Sequence, residues 1–186
     1  NPSLRRRAKL NNIHGLFEVT PGIYQLRGFD LANITLIQGK TGWILVDPLT
    51  TAPTARNALG FAREQLGDQK ISAIIFTHSH IDHFGGIDGV LTDNEREQLQ
   101  VIAPEGFMEE ASSENILAGP TMQRRAQYMY GSRLERSATG HVDTGLGKQP
   151  PFGGDIGILA PTHIVSQTGQ TLTVDGVEIV FQFTPA

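Results

Sequence analysis

Three short, apolar-rich runs lie near the start of the chain, at 23–27 (IYQLR), 33–38 (NITLIQ) and 43–47 (WILVD). Such short runs, bounded by turn residues, read as strands. The GKTG between the second and third runs carries the glycines that a hairpin turn prefers. A helical pattern follows. In TTAPTARNALGFAREQLGD, Ala55, Ala58, Leu59, Ala62 and Leu66 recur at helical spacing, Pro53 suits a first turn, and Gly67 suits the C-terminal stop. The apolar run 71–76 (ISAIIF) follows. Strand, helix and strand in that order predict a crossover unit whose two strands are parallel. Further on, LQVIAP (99–104) reads as another buried strand, and 105–136 as helical, broken near AGP at 118–120. Residues 137–161 are dense in glycine and proline and predict a long loop. Near the end, QTLTVDGVEIVFQF places two alternating runs around Asp175-Gly176, a strong hairpin signal. The pattern as a whole predicts a layered α/β fold.

Chemistry concentrates in one place. The chain has six histidines, and three of them fall within THSHIDHFGG, directly after the apolar run 71–76. Ligands of α/β sheets gather beyond the carboxyl ends of the strands, so the cluster lies where a site is expected. His78 and His80 are two apart and point to one side of extended backbone; a turn after them would return Asp82 and His83 toward the pair. Imidazole and carboxylate suit Zn²⁺ and related metals. Four donors in six residues crowd one tetrahedral ion that must keep an open position. They read better as halves of two adjacent sites, His78 with His80 and Asp82 with His83. Gly85 and Gly86 would let the backbone pass close to the metals. The competing reading, a solvated polar loop, fits a lone histidine better than this cluster.

Composition sharpens the exclusions. Hydrophobic residues make up 39% and charged residues 18%, ordinary for a packed core, and the net charge of −4 offers no basic surface for nucleic acid. No apolar run reaches the ~18–20 residues of a membrane span. With no cysteine, disulfides and thiolate metal sites are excluded. The basic cluster Arg5 to Arg7 reads as a solvated terminal patch. No apolar stretch of a signal peptide follows it; a leader removed before Asn1 would make the protein periplasmic or secreted, and the compartment stays open.

The THSHIDHFGG stretch resembles the H-x-H-x-D-H motif of the metallo-β-lactamase superfamily, which implies an αββα sandwich. The resemblance implies that His78 and His80 bind one zinc, and that Asp82 and His83 bind the other. WILVDP is similar to the superfamily's preceding strand, whose aspartate supports the metal loop; Asp47 is therefore either such a support or a strand-end turn residue. NNIHGLFEVTPGIYQLRGFDLANIT, GWILVDPLTT, VIAPEGFMEEASSENILAGPTMQRRAQYMYG and VDGVEIVFQFTP resemble the alkylsulfatase branch, enzymes that hydrolyse detergents such as dodecyl sulfate. This resemblance covers nearly the whole chain, and the helical segment 105–131 points to the branch.

That resemblance implies hydrolysis of alkyl sulfate esters to an alcohol and inorganic sulfate by a metal-activated water, with two Zn²⁺ per complete subunit. It also implies that the remaining ligands, two glutamates and a histidine, lie beyond Ala186, as does the general acid. Residues 1–186 are then expected to be the N-terminal part of a catalytic domain, an incomplete sandwich, with homodimerisation through regions absent here. His14 and His163 read as structural, and His141, in the glycine-rich loop, as neither ligand nor substrate contact. Met122, Ala126, Met129 and Tyr130 recur at helical spacing beside Arg124 and Arg125. A core-facing helix with two solvated arginines is preferred to a wall for the alkyl tail. Two other functions compete: a different hydrolase of the superfamily (thioesterase, lactonase or nuclease), since one metal loop serves them all, and a non-catalytic metal-binding fragment.

Overall fold

The computed structural model describes residues 2–145, 148 and 153–184. Helix α1 (Pro2–Asn11) buries none of its residues and carries Arg5, Arg6 and Arg7 in solvent. Seven strands then build one sheet in sequence order: β1 (Gly15–Thr20), β2 (Ile23–Arg27), β3 (Ile34–Gln38), β4 (Trp43–Val46), β5 (Ile71–Ile75), β6 (Gln100–Pro104) and β7 (His163–Val165). The first four pair antiparallel through tight connections, and β4 to β7 pair parallel. Helix α2 (Ala52–Leu66) makes the crossover from β4 to β5 with Pro53 in its first turn, and Gly67 ends it at φ 91°. A short helix α3 (Asp93–Arg96) follows the histidine loop. Helices α4 (Phe107–Ser112) and α5 (Gly119–Tyr130) flank a π turn, Ser113–Leu117. Strands β8 (Thr171–Val174) and β9 (Val177–Val180) form a separate hairpin.

Strand alternation sorts the core into two layers. Trp43, Leu45, Ile74, Phe76, Val101 and Ala103 face one side and pack with Ala55, Ala58, Leu59 and Ala62 of α2. Small alanines let that helix lie close, and full burial of Leu59 alone is worth about 1.5–3 kcal/mol. The intervening Ile44, Ala73, Ile75 and Ile102 face the other side, where Val174, Leu172, Val177, Ile179 and Phe181 of the hairpin cover them. Helix, sheet and the start of a second sheet are three of the layers of an αββα sandwich.

Four elements lie outside the sequence reading: α1, β1, α3 and β7. The two strands sit at or near the sheet edges, α3 spans a single turn, and α1 buries none of its residues. The loop predicted at 137–161 contains no helix or strand among its described residues, and 146–147 and 149–152 of it lie outside them. The core-facing reading of α5 is corrected: it buries only Gly119, and Met129 is half exposed. Met122, Ala126 and Tyr130 of the stripe are half-buried, and none of the four is fully buried.

Candidate metal centre

The end of β4 is bent to build the site. Asp47 and Leu49 both adopt left-handed backbone, φ 59° and 66°, although neither is glycine. Such conformations cost about 1–3 kcal/mol each and persist where surroundings enforce them. Leu49 is fully buried in the larger core layer, and the Asp47 carboxylate organises the loop after β5. Its Oδ1 accepts the Thr77 N–H at 2.9 Å, and its Oδ2 accepts both the Thr77 hydroxyl and His83 Nδ1–H at 2.7 Å.

These bonds fix ring nitrogens. The Thr77 hydroxyl has one hydrogen and gives it to Asp47, so toward His78 it accepts from Nδ1–H at 2.9 Å. His78 Nε2 is thereby left bare and lies 3.1 Å from His80 Nδ1. On the other side, His83 Nε2 lies 3.4 Å from Asp82 Oδ2. Two donors each ~2.0–2.1 Å from one tetrahedral ion lie about 3.3 Å apart. Both pairs therefore stand near the separation that two ligands of one ion require. Among the described residues, no three such donors gather about one point. The spacing of each pair, His78 with His80 and Asp82 with His83, is compatible with a shared ion that takes its other ligands from elsewhere.

Charge follows the same geometry. Burial works against charging His83, but the Asp47 and Asp82 carboxylates outweigh it and raise its pKa to about 9. Burial also opposes charge on Asp82, yet the His83 contact holds its carboxyl below the usual range. At His78, burial and then the neighbouring rings of His83 and His80 lower the pKa. His78 thus favours the neutral form that a metal needs.

Gly85 and Gly86 serve a different neighbour from the one the sequence suggested. A Cβ on Gly85 would collide with the Thr50 carbonyl oxygen, and one on Gly86 with that of Pro48. The glycines let the histidine loop press against the 48–51 backbone, where Gly86 N donates to the Leu49 carbonyl at 2.8 Å. Asp30, unmarked in the sequence reading, is buried behind the same loop and accepts the Thr50 N–H at 3.0 Å. Burial raises its pKa, and the Thr50 and Leu31 N–H groups oppose that rise. The remaining histidines lie outside the cluster. His14 packs on Phe29 and Phe61, His141 Nε2 contacts the Tyr130 carbonyl at 2.7 Å, and His163 Nδ1 contacts the Thr162 hydroxyl at 3.0 Å.

Glu114 was also missed. From the π turn its Oε2 reaches within 3.7 Å of His80 Nε2. Tyr130, at the end of α5, lies close enough that burial and then the Asp82 charge raise its pKa. Only the fold brings residues 114 and 130 to the loop. No helix among the described residues is long and apolar enough to cross a membrane.

Residues 27–95 match the metallo-beta-lactamase superfamily. Across the whole chain, it is 45% identical to an alkyl/aryl-sulfatase of Saccharomyces cerevisiae. It is 48% identical over 99% of its length to an (R)-specific secondary-alkylsulfatase of a Pseudomonas species. It spans 29% and 28% of those two relatives. Among solved structures, a stereoselective inverting sec-alkylsulfatase from Pseudomonas superposes with TM-score 0.90 at 48% identity, over 98% of this chain and 29% of that one. A metallo-beta-lactamase from Hirschia baltica shares the fold at 15% identity and TM-score 0.51, covering 90% of this chain and 59% of that one. The superfamily match thus covers residues 27–95, within a chain that is similar along its whole length to alkylsulfatases.

Proposed function

We propose that this chain supplies half of a two-zinc centre in an enzyme that hydrolyses alkyl sulfate esters to an alcohol and inorganic sulfate. The observation that carries the reading is the arrangement of two donor pairs, His78 with His80 and Asp82 with His83, in a chain similar along its whole length to alkylsulfatases. Zinc, once bound, would supply Lewis acidity and lower the pKa of a bound water to about 7. The chain's own residues hold and orient. Asp47 fixes His83 and, through Thr77, His78; Asp30 and the two glycines hold the loop behind them.

Residues 1–186 are read as the N-terminal part of the catalytic domain, with further ligands, the general acid and the homodimer contacts on polypeptide outside them. The relatives' length supports this, since the chain spans under a third of it. Ile116, Leu117, Tyr128 and Met129 stand exposed on the elements beside the site and offer apolar surface for an alkyl tail. Of these, Met129 belongs to the stripe Met122, Ala126, Met129 and Tyr130, none of which α5 buries fully.

The test is free sulfate released by the full-length protein from hexyl, octyl, decyl and dodecyl esters, beside thioester, lactone and phosphodiester substrates. Efficiency is expected to rise with tail length, about tenfold per two added carbons, since each buried CH₂ is worth about 0.8 kcal/mol. His80→Ala abolishes turnover. Good turnover of another substrate class with no sulfate release would keep the superfamily and sink the activity.

A further inference from the structure

We propose that Glu114 is the positioning residue for His80, accepting the proton of its outer ring nitrogen so that Nδ1 faces the same ion as His78 Nε2. The inference rests on the reading of His78 and His80 as ligands of one metal. The other two rings of the cluster are tethered by their outer nitrogens, His78 Nδ1 by the Thr77 hydroxyl and His83 Nδ1 by Asp47. Metal-bound histidines characteristically give their second N–H to such a partner, which sets the tautomer and the ring orientation. For His80 the inner nitrogen is Nδ1, 3.1 Å from His78, and the outer one is Nε2. The carboxylate nearest Nε2 is Glu114, its Oε2 at 3.7 Å, within ion-pair range and longer than a direct hydrogen bond.

The local structure around Glu114 points the same way. The turn Ser113–Leu117 is π-helical, closed by Ala118 N–H to the Ser113 carbonyl at 2.9 Å. Single π turns recur at functional sites because the extra residue re-aims side chains. Here the re-aiming runs against hydrophobic patterning. The Glu114 side chain is 27% exposed, whereas Ile116 and Leu117 are 73% and 81% exposed. An acid turned inward while two large apolar residues face water breaks the local rule, and the His80 contact supplies a reason. Asn115 Nδ2 donates to the Ala111 carbonyl at 2.8 Å and ties the turn to α4.

The experiment uses the full-length protein with Glu114→Ala, Glu114→Gln and His80→Ala. It reads the zinc dissociation constant by chelator competition, and the His80 Nε2–H resonance in the zinc-loaded, ¹⁵N-histidine protein. Glu114→Ala is expected to weaken zinc binding about 10–100-fold and to abolish the slowly exchanging Nε2–H signal. Glu114→Gln, which keeps an acceptor oxygen, should restore the signal and part of the affinity. Wild-type zinc affinity with an unchanged Nε2–H signal in both Glu114 variants would overturn the proposal while leaving the metal site intact. If Glu114→Ala unfolds, Glu114→Gln decides by the same two readouts. Unchanged zinc affinity in His80→Ala would remove the metal-site reading itself, and Glu114's role with it.

Discussion

Two aspartates sit near opposite ends of β4 and use one device for different purposes. Asp175, in the β8–β9 turn, has left-handed backbone at φ 43° and accepts the N–H and the hydroxyl of Thr41, just before the strand. Asp47, just after it, has φ 59° and accepts the N–H and the hydroxyl of Thr77. Both cross-link segments far apart in sequence. The difference lies in what else they hold. Asp175 adds the Gly42 N–H and docks one hairpin turn against another in contact with solvent. Asp47 is buried and adds His83 Nδ1–H, so that its second bond orients a ring. A carboxylate that satisfies a turn becomes part of the candidate site when the chain returns an imidazole to it.

The largest effect that would break this comparison is on Asp47. Asp47→Ala should weaken zinc binding about 10–100-fold and destabilise the fold by about 1–3 kcal/mol, because the Thr77 N–H, the Thr77 hydroxyl and His83 Nδ1–H all lose their acceptor. Chelator competition and urea unfolding measure the two losses, and a variant with normal zinc binding would end Asp47's separate status. Next is the packing that presses the loop onto the 48–51 backbone. Gly86→Ala should cost about 1–3 kcal/mol through the collision with the Pro48 carbonyl. Zinc affinity should fall with stability, since the same loop carries Asp82 and His83.

Asp175→Ala should cost about 1 kcal/mol or less, since its bonds are open to solvent. Zinc affinity should stay within about twofold of wild type, as expected of a distant independent site. A large fall in zinc affinity would mean that the two ends of β4 are coupled. The smallest effect is the pH dependence of the same residue. Burial pushes the Asp175 carboxyl up, but the Thr41 N–H, the Ser72 and Thr41 hydroxyls and the Gly42 N–H together outweigh it and hold the pKa below its ordinary value. A lowered folded pKa means that its contribution is complete above the unfolded value of about 3.9 and drains away as pH falls through the folded value. Asp175→Asn should therefore shrink the stability lost below about pH 4, read from urea midpoints across pH.

The strands β2 to β6, the helix α2 and the closing hairpin were legible because each is apolar-rich, periodic or capped by its own neighbours in sequence. The run 43–46 is apolar throughout, so only the fold shows that Trp43 and Leu45 enter one core layer and Ile44 the other. Pro53, Gly67 and Asp175-Gly176 marked ends and turns through local backbone preference. The four donors 78–83 were legible as a cluster, and their adjacency in sequence already limited how far apart they could lie. Strands β1 and β7 were not legible, because a short edge strand is defined by the neighbour it pairs with.

What the tertiary structure alone decided is which nitrogen of each ring faces inward. That depends on acceptors distant in sequence: Asp47 lies 36 residues from His83 and 30 from Thr77. It also brought Glu114 to His80, buried Asp30 behind the 48–51 loop, and left the α5 stripe without full burial. Residue type and spacing fix what a segment can donate or bury; hydrogen-bond direction and burial belong to pairs of segments, and exist only once the chain has folded them together.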